Sequence, residues 1–238
     1  MQRPARSRVY LGFALLALAA AVTGFFTTFI RPLWQGSFHG YALVYAHGAF
    51  VFGWLLLFAT QAWLVHSKRI PLHRKLGWAG LAIGSGLIAT TMAMGVHAMR
   101  RDLAADAGEI GVSALLGSFT SPMIFAALFI GGVVYRRKPD VHKRLMLLAT
   151  LAILWPAFFR FRHYFPGVSR PDIWFGFVLA QAPVLLAMLH DKLSFGRVHR
   201  VYRTVGVIFI AEAATEVALF DSPGWRVVAH WLAAPFLP

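Results

Sequence analysis

The feature that most limits what this chain can become is a series of apolar runs, each about 20 residues long, separated by short basic segments. The first, Val9–Ile30, carries no charge. Others cover 40–65, 76–99, 110–135, 141–159, 173–190 and 204–220. The charges within them are Lys143 and Arg144 in the first turn of the fifth, and Glu212 and Glu216 in the seventh. An α-helix of this length spans a hydrocarbon core and satisfies its own backbone hydrogen bonds there. Only 13% of residues are charged, about half the share of a soluble domain. The expectation is an all-α integral membrane bundle, a single domain over 1–238, with seven transmembrane helices. The tail 225–238 is apolar but short and holds Pro235, so it reads as interfacial. A signal peptide competes for the first run. That run is longer than an h-region and lacks a polar c-region, which favours a span.

Basic residues orient the bundle. With the N-terminus in the cytoplasm, sixteen of the 23 Lys and Arg fall in inner segments and seven in outer ones. The high–low alternation matches the positive-inside rule, so the C-terminus is expected outside and the protein in the cell inner membrane. This distribution also accounts for the net charge of +14 without a nucleic-acid partner. Membrane lipids are the expected partners. The oligomeric state has no sequence signal.

Cysteine is absent. That excludes disulfides, thiolate zinc sites, cysteine-bound iron–sulfur clusters and covalent c-type haem. Ten histidines are the main chemical clue. His73 and His142 each open an odd-numbered helix from the same side. Two imidazoles at one depth are what a b-type haem needs as axial ligands. Arg74 and Arg144 beside them are suited to its propionates. The same features also suit helix ends that touch anionic lipid. His47 lies well inside a span, and an ionisable group there needs a partner. His97 and Glu216 lie at similar depth and make a candidate metal set with it. Glu212 and Glu216, one turn apart, form a candidate proton relay, or a pair neutralised by neighbouring Arg or His. Gly80-Leu-Ala-Ile-Gly84 is a small-residue packing motif. Pro122, Pro156 and Pro183 are expected to kink the fourth, fifth and sixth helices. No nucleotide-binding loop, nucleophile elbow or zinc-protease motif occurs.

The text Leu72-His73-Arg74-Lys75-Leu76-Gly77, then His142-Lys143-Arg144-Leu145-Met146, then Arg160, resembles a bacterial group of multi-span proteins of unknown function, the domain of unknown function 2306 type. Leu145 stands where that group has tryptophan. The likeness covers roughly residues 40–165 and implies a topology without an activity. A weaker likeness is to cytochrome b561-type four-helix cores. His73 and His142 resemble their inner pair of ligands, and His47 one outer ligand. The fourth helix has no histidine, so the resemblance implies at most one bis-histidine haem.

The leading expectation is therefore a membrane redox protein with one haem b held by His73 and His142, exchanging electrons with a quinone or soluble redox partner. A proton-coupled transporter or metal-binding protein built on His47, Glu212 and Glu216 is the alternative. A structural or assembly subunit is the third.

Overall fold

The computed structural model describes residues 5–105 and 109–236. Arg3, Asp106 and Pro238 lie outside the described residues, as does the side chain of Arg6. No strand occurs among the described residues. The helices are α1 (Ala5–Phe25), α2 (Ala42–His66), α3 (Ile70–Ala104), α4 (Leu115–Val134), α5 (Pro139–Ala152), α6 (Ala180–Phe195), α7 (Val207–Leu219) and α8 (Pro223–Ala233). Short helices, Glu109–Ser113 and Trp155–Phe159, flank α4 and α5. Six helical stretches are long and apolar enough to cross a membrane: Arg8–Trp34, Ala42–His66, Ile70–Ala104, Glu109–Arg137, Pro139–His163 and Asp172–Phe195. The chain is a multi-pass, all-α membrane protein. The seventh run, 204–220, holds Glu212 and Glu216 and is not among the six.

Helix α3 is longer than its apolar run. Its 35 residues rise about 50 Å at 1.5 Å each, beyond the roughly 30 Å hydrocarbon core. Prolines shape several spans. Pro156 sits in the first turn of Trp155–Phe159, where the fifth span restarts after Ala152. A proline in a helix cannot donate to the carbonyl four residues back, and its ring crowds that carbonyl. The sixth span meets this with a π-helical segment, Asp172–Leu179, which ends four residues before Pro183. Another π segment, Phe26–Ile30, precedes Pro32.

Consecutive helices α2 to α5 pack side by side, and α1 closes the group against α2 and α5. Small residues set the spacing. A Cβ on Gly80 would stand 3.4 Å from Leu57, and one on Gly84 2.9 Å from Phe129. The G-x-x-x-G face of α3 is thus used inside the bundle, against α2 and α4. Gly24 of α1 lies against the backbone of Ala157, and Tyr10 near the start of α1 lies against Lys143 near the start of α5. Helices α1 and α5 therefore run in the same direction.

Trp54 of α2 is the hub of the core. It is 4% exposed. Its Nε1–H donates to Thr150 Oγ1 of α5 at 3.2 Å, which satisfies the one polar atom of the indole. Its ring meets Phe125 and Phe129 of α4 edge-on, at 4.9 and 5.3 Å. The chain after α6 returns along this bundle. Near its start, the His199 backbone N–H donates to Asp191 of α6. Near its end, Glu216 accepts from Thr120 of α4, and Asp221 accepts from Ser113 at 2.9 Å. Helix α8 docks on Glu109–Ser113 through Trp225 Nε1–H to the Ser113 carbonyl and through the His230–Glu109 pair. Its Val227 and Trp231 remain exposed.

Candidate functional site

His73 and His142 are brought together. Each lies in the first turn of its helix, just past a proline, Pro71 or Pro139, that occupies a position where a missing N–H costs nothing. The backbone N–H of His73 donates to the Arg69 carbonyl at 3.0 Å, and that of His142 to the Lys138 carbonyl at 2.9 Å. With the main chain fixed in this way, the imidazole centroids stand 6.3 Å apart with ring planes at 83°. His142 Nδ1 lies 2.8 Å from the Gly132 carbonyl of α4. A carbonyl only accepts, so the proton sits on Nδ1 and the lone pair is on Nε2. His73 Nδ1 is buried without a hydrogen bond, as is Gln61 Oε1. The Gln61 backbone carbonyl lies beside the His73 ring. Arg74 is exposed one residue further on.

Arg144 has other partners. It is 2% exposed. Its Nη2–H and Nε–H donate to the two oxygens of Asp191 at 2.7 and 2.9 Å, and its Nη1–H to the Asp140 carbonyl at 2.7 Å. Phe195 and Tyr202 each place a ring centroid 5.6 Å from its guanidinium. The hydroxyls of Tyr10 and Tyr202 pair beside it. This cluster joins α1, α5, α6 and the start of the last helical run. Sequence reasoning missed Asp191, Tyr10 and Tyr202. The available signal was Asp191 itself, an acid at the end of an apolar run that otherwise holds none after Asp172.

The remaining candidates sit at separate places. His47 Nδ1 is 3.3 Å from Thr90 Oγ1 of α3, and Arg160 is close enough to act on it electrostatically. Arg160 donates to the Pro156 carbonyl at 2.8 Å and stacks over Phe25 at 4.3 Å. His97 packs edge-on against Tyr41 at 4.7 Å. Glu216 accepts from Thr120 Oγ1, and Glu212 Oε1 is buried without a partner. Among the described residues no three His, Asp or Glu side chains converge as metal ligands, so His47, His97 and Glu216 do not form one site.

No family model matches the sequence, and neither a curated protein nor a solved structure matches it significantly.

Proposed function

We propose that this chain is a seven-helix redox protein of the cell inner membrane that binds one b-type haem through His73 and His142. The observation that carries the proposal is their ring geometry. Two imidazoles bound to one iron through bonds of about 2 Å have centroids roughly 6 Å apart, against 6.3 Å here. The Nδ1–H of His142 donates to Gly132, as a metal-binding histidine commonly uses its second nitrogen. The Gln61 backbone carbonyl lies beside the His73 ring as an acceptor. Bound there, haem supplies a one-electron couple, which suits exchange with a quinone or a soluble donor. The protein's own part is to hold both rings, fix their tautomers and keep water out through the packing around Trp54. Exposed Arg74 is the basic group left for a propionate, since Arg144 is occupied by Asp191 and Asp140.

The seventh crossing is supported by the contacts of the last helical run, which begins beside Asp191 and ends beside Ser113, at opposite ends of the bundle. A crossing there puts the two termini on opposite sides of the membrane, and the basic residues favour the N-terminus inside.

The test is the absorption spectrum of detergent-purified protein, oxidised and then reduced. About one haem per chain, lost in His73→Ala or His142→Ala while membrane insertion persists, supports the assignment. A colourless protein made with ample haem supply overturns it. The transporter alternative draws on Glu212 and Glu216 with Thr120. Proton-coupled uptake that Glu216→Gln leaves unchanged would remove it.

A further inference from the structure

The end of the bundle that carries Arg144 and Asp191 also holds a half-open cavity of about 340 Å³. Asp140, Lys143, Arg144, Asp191, Arg197 and His199 supply its polar lining. Its floor is rigid: Arg144 and Asp191 are 2% and 1% exposed and joined by two hydrogen bonds.

The hydrogen-bonding capacity of this lining is one-sided. Asp191 Oδ1 accepts from Arg144, and Oδ2 accepts from Arg144 and from the His199 backbone N–H. Asp140 Oδ1 accepts from Lys143 at 2.5 Å, and its second oxygen belongs to a side chain that is largely in solvent. Three of the four carboxylate oxygens are therefore committed. The donors are not. His199 Nδ1 accepts from the Val201 N–H at 3.2 Å, which leaves the proton on Nε2 and free to be donated. Lys143 has ammonium protons beyond the one given to Asp140. Arg197 is exposed and makes no hydrogen bond or ion pair with any described residue. The lining holds three cations, Lys143, Arg144 and Arg197, against two carboxylates. What it lacks is an anion that offers several acceptor oxygens at once.

We propose that this cavity binds a phosphoryl group, with Arg197, Lys143 and His199 Nε2–H as its donors. A guanidinium fork matches phosphate oxygens two at a time, and the cavity leaves room for the group that carries the phosphate. That carrier is either an anionic lipid headgroup or a free phosphate. The first is favoured by position, because Leu189 and Leu193 on the same end of α6 are exposed apolar side chains. The proposal is independent of haem.

Two titrations of the full chain, purified and delipidated in detergent, test it. One follows phosphatidylglycerol by native mass spectrometry. The other follows thermal stabilisation by sodium phosphate against chloride at equal ionic strength. Binding of phosphatidylglycerol alone assigns the site to lipid, response to phosphate alone assigns it to free phosphate, and response to both assigns it to the phosphoryl group whatever carries it. In each case Arg197→Gln should weaken binding about tenfold through loss of charge-assisted bonds. Arg170→Gln, an exposed arginine at the other end paired with Asp172, should leave it unchanged. No response to either probe, or an Arg197→Gln protein that binds like the wild type, overturns the proposal.

Discussion

Arg144 and Asp191, 47 residues apart in sequence, face each other in a two-bonded ion pair that is almost entirely sealed from solvent. Taking one charge away leaves the other buried and unpaired, at a cost of about 3–5 kcal/mol. Asp191→Ala should therefore unfold at much lower temperature in detergent. The double variant Arg144→Met, Asp191→Leu should recover most of the loss. A double variant no better than the single one would show that the pair is worth more than its desolvation cost.

Trp54 makes one hydrogen bond and a large apolar contact. Trp54→Phe should cost the bond to Thr150, about 1 kcal/mol, along with part of the ring volume. Trp54→Ala should cost about 3–5 kcal/mol by opening a cavity against Phe125 and Phe129. Denaturation in a graded detergent series would separate the two, and equal losses would remove Trp54 from the centre of the core.

Gly24→Ala tests the contact of α1 with the restart of the fifth span. The added Cβ would lie 2.2 Å from the Ala157 carbonyl oxygen, which is backbone and cannot swing away. Separating the two segments should cost about 1–3 kcal/mol. Gly12→Ala, where nothing lies within 4 Å, is the matched control. Equal thermal stability of the two variants would contradict the close approach.

His199 gives the fold a pH dependence. Burial and then the nearby Arg144 charge hold its pKa below the ordinary value, while Asp191 and Asp140 oppose the shift and Lys143 adds to it. The folded state thus favours the neutral ring, whose Nδ1 accepts from Val201. The stability this contributes is fully present above the unfolded value of about 6.5 and is lost as pH falls through the lower folded value. In phosphate-free buffer the wild type should lose stability between neutral and acid pH. His199→Asn keeps an acceptor at the helix start and should flatten that part of the profile. A wild-type profile that is already flat below 6.5 would refute the assignment.

The spans were legible because hydrocarbon leaves the backbone few choices, so length and lack of charge mark each one. The His73–His142 meeting was legible for the same reason: both open helices that enter from one side, so both share a depth. The partner of Arg144 was not legible. Depth narrows a partner to one end of the bundle, but which residues there touch depends on which helices are neighbours, and α5 meets α6 through contacts that leave no periodic trace. The metal grouping of His47, His97 and Glu216 fails for that reason too. Shared depth did not make them adjacent, and each has its own neighbour in Thr90, Tyr41 or Thr120. The full length of α3 was hidden because its ends are polar helix that a hydropathy pattern does not count.

The indole of Trp54, with the stacked rings of Phe125 and Phe129 against it, forms an aromatic layer between α2, α4 and α5. It has no polar atom to spare, because its single N–H is already given to Thr150. A water molecule there would need hydrogen-bonding partners, and the indole offers it none. Where α2, α4 and α5 meet, the interior is therefore filled by aromatic carbon, and its one polar link is the bond from Trp54 to Thr150.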